Sequence, residues 1–271
     1  MEEVRVIKVA VVGVCGRMGM SVASLAGADG GIELVGATEA PGHVSVGRGL
    51  EDFIEGAGAG VNVSDSIEEA ARAADVIIDF TVPEATLAHA EYSVGNGKSM
   101  VIGTTGFATE QGEELLRLLE RIPCVFSPNM SVGVNVLFEM SRQVASHLRE
   151  SYDAEIFETH HRSKADSPSG TAIALAEAVA AGRGSELGDV ARYERHGRIG
   201  ARKKGEIGLQ TLRGGDVVGD HTVMFLGDGE RVELTHRATS RENFSAGALR
   251  AAKWIPGKPP GVYAMRDVLG F

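Results

Sequence analysis

Apolar residues in the first half of the chain fall into five short runs, at residues 6–13, 33–39, 75–81, 100–106 and 123–129. The runs are apolar without strict alternation, as expected for strands that are buried on both faces of a parallel sheet. Stretches with helical spacing lie between most of them, at residues 66–74, 83–94 and 109–122. This alternation predicts a doubly wound, Rossmann-like α/β sheet.

The order of the predicted elements changes after Asn129. The hydrophobic pattern of residues 131–150 predicts one long helix, and that of the following segment "AEIFETHH" predicts a strand. A second helix is expected from about Gly170 to Ala181, with Gly182 ending it. Three strand-like runs between residues 206 and 238 then follow one another without a helix. We therefore predict a second, α+β domain with an open, mixed or mainly antiparallel sheet.

Composition and charge narrow the classes of protein. The 271 residues are 43% hydrophobic and 24% charged, with a mean hydropathy of -0.01, as in soluble globular proteins. A net charge of -10 and a pI near 5.3 argue against binding to nucleic acid or to an anionic membrane. Cys15 and Cys124 form no CxxC motif, and the acidic start of the chain does not resemble a secretory leader. We therefore expect a protein of the reduced cytoplasm.

The first strand runs into the glycine-rich turn "GVCGRMG", with glycines at positions 13, 16 and 19. Glycine permits a tight turn and lets backbone amides approach a pyrophosphate, which then lies at the N-terminus of the next helix. Glu39 ends the second strand, where a carboxylate accepts hydrogen bonds from the adenosine ribose. We predict a dinucleotide site; the alternative is a glycine-rich turn with a surface glutamate. The predicted contacts are Gly13, Val14, Cys15, Gly16, Arg17, Met18 and Glu39.

Glu39 also bears on the choice of cofactor, because its carboxylate repels the 2'-phosphate of NADP. NADP enzymes usually offset this repulsion with a nearby arginine, but here Ala40 follows Glu39, and apolar Val82 lies at the end of the third predicted strand. The sequence therefore favours NADH. Arg48 and His43 lie close enough along the chain to keep NADPH open as the alternative.

Two further turns follow the fourth and fifth predicted strands, "GTTGF" at 103–107 and "SPNM" at 127–130. The carboxyl ends of parallel strands meet at the edge of the sheet where ligands bind. This joint position favours contact with the nicotinamide side of the cofactor, although each turn taken alone is also explained by ordinary turn chemistry. The predicted contacts are Gly103, Thr104, Thr105, Ser127, Pro128, Asn129 and Met130.

Four cationic or titratable residues gather within five positions ahead of the second predicted helix, namely His160, His161, Arg162 and Lys164. Alternation along the strand places His160 on one face with Glu158, and His161 on the other face. No cysteine or third histidine lies at a ligand spacing from them, so we predict no metal site. The cluster instead predicts a site for a negatively charged small molecule.

The helix that follows this cluster supplies a second set of groups that bind anions. Its first amides, at Gly170, Thr171 and Ala172, can bind a carboxylate next to Ser169. Charge-assisted hydrogen bonds of this kind are worth about 1.5 to 3 kcal/mol each. Together with the cations, these amides predict a dianionic substrate that resembles a dicarboxylate.

All these motifs together resemble one enzyme family. The segments "GVCGRMG", "DFTVPEATLAH", "VIGTTGF", "SPNMSVGVN", "ETHHRSKADSPSGTA", "GDHTVMF" and "HRATSRENF" are similar to those of the 4-hydroxy-tetrahydrodipicolinate reductases, also called dihydrodipicolinate reductases. The resemblance runs from residue 6 to the last residue, in the order of the family. Cys15 stands where members often have glycine, and Ala40 and Val82 stand where some NADPH-using members have arginine.

The resemblance implies a function and an organisation. It implies the NAD(P)H-dependent reduction of a cyclic dicarboxylate in the diaminopimelate and lysine pathway of bacteria. It also implies that the enzyme is a homotetramer. It implies a dinucleotide-binding domain at residues 1–130, completed by residues 241–271, and a substrate-binding and tetramerisation domain at residues 131–240. It makes His160 and Lys164 the two proton-donor candidates, between which the sequence does not decide. The implied substrate contacts are His161, Ser169, Gly170 and Thr171.

Two other functions remain as alternatives. A different two-domain dehydrogenase, acting on homoserine or on a sugar, would share the first half of the chain but would lack the run from His160 to Thr171. A non-catalytic NAD(H) sensor would need no proton donor, and such proteins typically carry a DNA-binding element, which is not visible in this acidic sequence. Both alternatives are therefore less well supported than the reductase.

Overall fold

The computed structural model describes residues 5–57 and 60–271 of the chain. The acidic residues at positions 2 and 3, on which the argument against a leader partly depends, lie outside this part. The chain divides into two compact units, Met1–Val132 with Arg241–Phe271, and Gly133–Ser240. Among the described residues, no helix is both long enough and apolar enough to cross a lipid bilayer.

Seven strands form the sheet of the first unit: β1 (Ile7–Val12), β2 (Ile32–Thr38), β3 (Val63–Ser64), β4 (Val76–Asp79), β5 (Ser99–Ile102), β6 (Pro123–Phe126) and β12 (Gly261–Tyr263). Their order is β12-β6-β5-β4-β1-β2-β3, and all neighbours are parallel. The doubly wound parallel sheet predicted from the apolar runs is confirmed. β3 and β12 were not predicted, because two or three residues are too few to show a period.

Helices cover both faces of this sheet. Along β1, Val9 and Val11 pack into the core formed with α1 (Arg17–Ala28) and α8 (Glu242–Trp254), whereas Ala10 and Val12 pack into the core formed with α3 (Pro83–Asn96) and α4 (Thr109–Leu119). This arrangement explains why the strands are apolar at consecutive positions. The helices of the first unit are α1 (Arg17–Ala28), α2 (Ile67–Ala70), α3 (Pro83–Asn96), α4 (Thr109–Leu119), α8 (Glu242–Trp254) and α9 (Met265–Leu269), with a 3-10 turn at Leu50–Asp52.

The second unit contains five strands and three helices: α5 (Val132–Leu148), β7 (Asp153–His160), α6 (Gly170–Arg183), α7 (Leu187–Val190), β8 (Ala191–Arg192), β9 (Ile207–Arg213), β10 (Gly219–Gly227) and β11 (Glu230–Ala238). α5 begins at Val132, the last residue of the first unit, and a 3-10 turn at Arg149–Ser151 follows it. The sheet order is β11-β10-β7-β9-β8. The pairs of β10 with β7 and β11 are antiparallel, whereas those of β9 with β7 and β8 are parallel. The sheet is therefore mixed, which confirms the predicted α+β domain with an open, mixed or mainly antiparallel sheet.

The end of α6 also differs from the prediction. The helix continues to Arg183 and is capped by Gly184, which has a φ of +72°. Gly182 is a helical residue, and a Cβ built on it would lie 2.3 Å from the carbonyl oxygen of Arg142 in α5. Gly182 is therefore needed for close packing of two helices, and Gly184 is the residue that ends the helix.

Candidate active site

The glycine-rich turn after β1 has a backbone that requires glycine. Gly13 has a φ of +68°, and a Cβ built on it would lie 2.6 Å from Cγ2 of Thr81. Gly19 lies in α1, where a Cβ would lie 2.2 Å from the carbonyl oxygen of Gly13. The turn therefore packs closely against the N-terminal end of a helix of 12 residues. This is the backbone geometry that suits a pyrophosphate.

Glu39 is hydrogen-bonded to the same turn. Its Oε2 accepts a hydrogen bond from the Cys15 amide and its Oε1 accepts one from the Ala40 amide, each at 2.9 Å. These bonds fix the carboxylate at the end of β2, next to the glycine-rich turn. Burial raises the pKa of the Cys15 thiol, so this side chain stays protonated and is a poor nucleophile.

A cavity of about 550 Å³ lies beside this turn in the first unit. The turn itself and the first part of α3 line it, together with the carboxylates of Glu39, Asp65 and Glu68. Of the described residues in this lining, none is a lysine or an arginine. Asp65 and Glu68 were not predicted from the sequence, because only the fold brings the residues after β3 to the glycine-rich turn.

Asp79 is a fully buried carboxylate at the end of β4. Its Oδ2 is 2.8 Å from Nδ1 of His89, and His89 lines the cavity. Its Oδ1 accepts hydrogen bonds from the amide and the hydroxyl of Thr81 and from the hydroxyl of Thr104. Neither Asp79 nor His89 was predicted from the sequence. A charged residue at the end of an apolar strand was the available signal.

The turns after β5 and β6 are ordered by their own contacts. A Cβ on Gly103 would lie 2.0 Å from Cε1 of Phe80, so a side chain does not fit at this position. The hydroxyl of Thr104 donates to Asp79, and the hydroxyl of Ser127 donates to the carbonyl oxygen of Asn129 at 2.9 Å. These two hydroxyls are therefore hydrogen-bonded within the protein.

The other predicted cofactor contacts differ in exposure. Val14 and Met130 are buried in the core of the first unit, so their side chains pack there and only their backbone can reach a ligand. Met18 is half-buried. The exposed members of the predicted set are Gly16, Arg17, Thr105 and Pro128.

In the second unit, β7 alternates between buried and more exposed residues, as the sequence predicted. Ile156, Glu158 and His160 are buried on one face. The strand ends at His160, and the half-buried His161 donates its amide hydrogen to the carbonyl oxygen of Val217 at 2.8 Å. The two histidines therefore have different surroundings and do not form a pair.

Glu158 connects His160 to the start of α6. Its Oε2 is hydrogen-bonded to Nδ1 of His160, and its Oε1 accepts a hydrogen bond from the Ser169 amide at 3.1 Å. Arg213 donates to the two oxygens at 2.9 and 3.1 Å. Burial raises the pKa of Glu158, but the hydrogen bonds from His160, Arg213 and the Ser169 amide outweigh burial and lower it to about 2. The residue is therefore a buried carboxylate at neutral pH.

His221 is a third histidine in this cluster, which the spacing along the sequence did not reveal. It is paired with Glu158 across β10 and β7, its ring lies 5.0 Å from that of His160, and its Nε2 is 3.2 Å from Oγ of Ser169. Burial lowers the pKa of His221 to about 3, so its ring is neutral. The position of this residue was not predictable without the strand pairing.

The sequence shows no third histidine at a ligand spacing, and only the pairing of β10 with β7 brings His221 to this cluster. Ligand atoms of Glu158, His160 and His221 lie within 4.8 Å of one another, close enough to hold a metal ion. However, Glu158 already accepts hydrogen bonds from several donors, including the positively charged Arg213. A cation at this place would face the guanidinium and would have to displace these donors. The arrangement favours a hydrogen-bond network over a metal centre.

Ser169 is the N-cap of α6. Its Oγ accepts a hydrogen bond from the Ala172 amide at 3.1 Å, so this amide is not available to a carboxylate, contrary to the prediction. The amides of Gly170 and Thr171 begin a helix of 14 residues, and its dipole favours an anion at this end. Gly170 is exposed and Thr171 is half-buried.

Lys164 lies in the turn between β7 and α6. Its Nζ is 2.8 Å from Oδ2 of Asp166, and this hydrogen bond lowers the pKa of the Asp166 carboxyl. Arg213 donates to the carbonyl oxygen of Asp166 at 2.6 Å. Arg162 is exposed. Glu158 thus connects His160 to Ser169, and Arg213 connects Glu158 to Asp166, the partner of Lys164. Neither Glu158 nor Arg213 was predicted as a site residue from the sequence.

A glycine-rich turn and a ribose-binding carboxylate on a doubly wound parallel sheet are typical of NAD(P)-dependent oxidoreductases. Two family models match the chain, "Dihydrodipicolinate reductase, N-terminus" over residues 7–130 and "Dihydrodipicolinate reductase, C-terminus" over residues 133–269. The chain belongs to the dihydrodipicolinate reductase family, and it is an oxidoreductase. The family predicted from the motifs is thereby confirmed.

Curated relatives agree with this assignment. The chain is 51% identical to the 4-hydroxy-tetrahydrodipicolinate reductase of Syntrophobacter fumaroxidans over 264 residues, which is 97% of this chain and 99% of that protein. It is also 51% identical to the enzyme of the same name from Anaeromyxobacter dehalogenans, with 97% of both chains covered. The similarity therefore extends over both units.

Solved structures share the fold. A dipicolinate-bound dihydrodipicolinate reductase from Paenisporosarcina sp. TG-14 superposes with a TM-score of 0.75 at 24% identity, covering 95% of this chain and 97% of that chain. GenD2 from gentamicin A biosynthesis, in complex with NAD, gives a TM-score of 0.60 at 14% identity, covering 98% and 90%. At sequence identities of 24% and 14%, the similarity to these two structures shows the fold alone.

Proposed function

We propose that this chain reduces 4-hydroxy-tetrahydrodipicolinate to tetrahydrodipicolinate with NADH, in the diaminopimelate and lysine pathway. The observation that carries the proposal is the connection of His160 to the N-terminus of α6 through Glu158, in a chain of the dihydrodipicolinate reductase family. A titratable ring and an anion-binding helix end are the two groups that reduction of a dicarboxylate requires.

The first unit provides the nucleotide site in this proposal. The steric fit supports it: the glycine-rich turn leaves no room for a Cβ at Gly13 or Gly19, and the cavity beside it has a volume of about 550 Å³. The amides of the turn and the N-terminal end of α1 would hold the pyrophosphate, and Glu39 would accept hydrogen bonds from the ribose. When bound, the reduced nicotinamide supplies the hydride.

Charge in the cavity favours NADH over NADPH. A 2'-phosphate at the adenosine ribose would lie near Glu39, and Asp65 and Glu68 add two more carboxylates to the same lining. Ala40 offers no positive charge to offset them. Like charges in a partly enclosed site repel one another, so the phosphate of NADPH is disfavoured here.

The second unit provides the substrate site. The amides of Gly170 and Thr171, at the positive end of α6, would bind one carboxylate of the substrate. Ser169 shapes this turn as its N-cap. His161 and Lys164 lie in the segment just ahead of this turn and would bind the second carboxylate. A dianion matches both sets of groups.

His160 is the proton donor that the geometry supports best. After loss of water, ring C4 of the substrate receives a hydride, and the neighbouring enamine carbon must then take a proton. His160 has Nδ1 hydrogen-bonded to Glu158, so Nε2 is its remaining nitrogen. Lys164 is instead paired with Asp166. We therefore assign proton delivery to His160, and attraction of the dianion to Lys164.

The proposal includes the assembly and the compartment. The outer face of the second sheet exposes Phe157 and Leu212, with 37% and 49% of their surface accessible. Apolar side chains on an open sheet face are commonly covered by another subunit, which supports assembly of a homotetramer through this sheet. Two free cysteines and an acidic composition are consistent with the cytoplasm.

Turnover of the purified chain tests the proposal directly. NADH oxidation, followed by absorbance, should depend on 4-hydroxy-tetrahydrodipicolinate generated enzymatically in the same cuvette. His160→Ala should lower kcat by about 10² to 10⁴, because positioned acid catalysis is worth that much, and His161→Ala should act chiefly on KM. NADH affinity, titrated by fluorescence, should be unchanged in both variants. Absence of turnover with this substrate would reject the function, and unchanged kcat in His160→Ala would reject the assignment of the proton donor.

A further inference from the structure

A row of four polar residues crosses the buried face of the second sheet. Thr211 in β9 is paired with Glu158 in β7, Glu158 with His221 in β10, and His221 with His236 in β11. Polar side chains are costly at such positions unless they are hydrogen-bonded. The row lies next to His160, which follows Glu158 by two positions on the same face.

Glu158 is hydrogen-bonded to more groups than any other member of this row. His160, the Ser169 amide, the Thr211 hydroxyl and both terminal nitrogens of Arg213 are hydrogen-bonded to its two oxygens. The side chain is 1% exposed, so solvent does not compete with these donors. Its carboxylate therefore has a fixed position relative to both β9 and the first turn of α6.

We propose that Glu158 is a positioning residue for the reduction: it fixes the His160 ring in one tautomer and couples this ring to the turn at Ser169. The inference rests on the proposed role of His160 as the proton donor. Nothing in the reaction requires Glu158 itself to touch the substrate, and its burial keeps it away from solvent.

The tautomer follows from the hydrogen bond. A carboxylate is only an acceptor, so Nδ1 of His160 must carry the hydrogen that it donates to Glu158. Nε2 is then the nitrogen that gains and loses a proton. A Cβ built on Gly219 would lie 2.9 Å from Nε2 of His160, so glycine at this position leaves space at that nitrogen.

Neighbouring charges support the same assignment. Arg213 keeps Glu158 ionised, and His221 stays neutral because burial lowers its pKa to about 3. His160 therefore has one carboxylate and one neutral ring against it, with no second imidazolium in contact. Arg213 also donates to the carbonyl oxygen of Asp166, which ties the Lys164 turn to the same carboxylate.

Glu158→Gln tests the inference because it keeps the shape of the side chain and removes the charge. The NH₂ group of the glutamine would donate to Nδ1 of His160, so the ring would carry its hydrogen on Nε2. This tautomer is the opposite of the one that we propose for the wild type. We expect kcat to fall by about 10² or more, by analogy with the effect of a carboxamide in a catalytic triad. We expect KM for the substrate to change by less than about threefold, because the amide oxygen can still accept from Ser169.

Two matched variants separate positioning from general structural loss. Glu155→Gln lies on the same strand but the opposite face, where Glu155 pairs with Arg195 and Arg202, and it should leave kcat unchanged. Thr211→Val removes one neutral donor from Glu158 without changing any charge, and it should lower kcat by less than about threefold. Equal losses of kcat in Glu158→Gln and Glu155→Gln would overturn the inference.

Nitrogen NMR of the His160 ring gives a readout that does not depend on turnover. In wild type at alkaline pH, the neutral ring should carry its hydrogen on Nδ1, and Glu158→Gln should move it to Nε2. An Nε2–H ring in wild type would overturn the inference even if Glu158→Gln fails to fold. Loss of kcat in His160→Ala together with wild-type kcat in Glu158→Gln would reject Glu158 alone and leave the proposed function standing.

Discussion

The Glu39 carboxylate accepts a hydrogen bond from the Cys15 amide, with 2.9 Å between Oε2 and the nitrogen. This bond joins the end of β2 to the glycine-rich turn, and the bond from the Ala40 amide holds the second oxygen at the same distance. Two backbone amides therefore hold the Glu39 carboxylate in place beside the glycine-rich turn. We expect this arrangement to influence the choice between NADH and NADPH.

We expect Ala40→Arg to shift the preference toward NADPH. The guanidinium would stand next to Glu39 and supply a charge-assisted bond to the 2'-phosphate, which is worth about 1.5 to 3 kcal/mol, or roughly tenfold to a hundredfold. The measurement is kcat/KM for NADH and for NADPH by absorbance. Ala108→Arg, at an exposed position outside the cavity lining, is the control. A wild-type enzyme with strong selectivity for NADPH would contradict the charge argument.

Thr171→Ala should raise KM for the substrate by about tenfold and change kcat little. The hydroxyl lies in the first turn of α6, and a bond that it makes to the bound carboxylate is present before and during the reaction. Steady-state kinetics with the substrate varied gives both constants. Fluorescence titration with NADH should give an unchanged Kd, and a large rise in this Kd would assign Thr171 to the other site.

Lys164→Ala should both raise KM and lower kcat, because the ammonium neutralises a carboxylate that is present in the ground state and in the transition state. Lys164→Arg keeps the charge but changes the shape of the donor, so we expect it to recover KM more than kcat. The ion pair with Asp166 suggests the control Asp166→Asn, which leaves the ammonium in place. If Lys164→Ala and His160→Ala had the same effect on both constants, the separate roles would be wrong.

Gly182→Ala should destabilise the protein. A Cβ at this position would lie 2.3 Å from the Arg142 carbonyl oxygen, and backbone cannot move as a side-chain end can. We expect a loss of about 1 to 3 kcal/mol in the free energy of unfolding. The matched control is Gly112→Ala in α4, where the nearest atom is 4.0 Å away, and where alanine should stabilise by about 0.5 to 1 kcal/mol. Urea denaturation followed by circular dichroism compares the two.

His221 should make the protein less stable in acid. Its pKa is about 3 in the folded state and 6.5 for the free side chain, so between these values the unfolded chain binds a proton that the folded chain does not. Stability therefore rises with pH through this window and is lost as the pH falls from about 6.5. Glu158, with a folded pKa of about 2 against 4.5, acts in the same direction at lower pH.

The variant His221→Asn removes this titration. The difference in urea midpoint between about pH 7 and about pH 5 should therefore be smaller in His221→Asn than in wild type. His196→Asn, at an exposed histidine of the same unit, should behave as wild type. An undiminished difference in His221→Asn would show that other groups cause the acid sensitivity.

The parallel sheet of the first unit was predictable because its strands are apolar on both faces and are separated by helical patterns. The short strands β3 and β12 were not, since their pairing depends on neighbours that are distant along the chain. The C-terminus of α6 was predicted at the wrong residue for a related reason. The sequence does not distinguish Gly182 from Gly184, and only the packing of Gly182 against Arg142 shows that Gly184 is the cap.

The candidate site was predictable in part. His160 and Glu158 share a face by strand alternation alone, so a charged residue on an otherwise buried face was visible in the sequence. Arg213 and His221 reach Glu158 through the pairing of β9 and β10 with β7, and register between strands cannot be read from local patterns. The sequence therefore identified the candidate segment, and the fold shows which residues contact it.

The pairing of β12 with β6 has a consequence for biosynthesis on the ribosome. Residues 133–240 emerge after residue 132 and before residues 241–271, as one continuous segment that contains all strands of the mixed sheet. The parallel sheet must wait for α8 and for Gly261–Tyr263, which supply a covering helix and an edge strand. The nascent chain therefore completes the inserted unit before the unit that begins its translation.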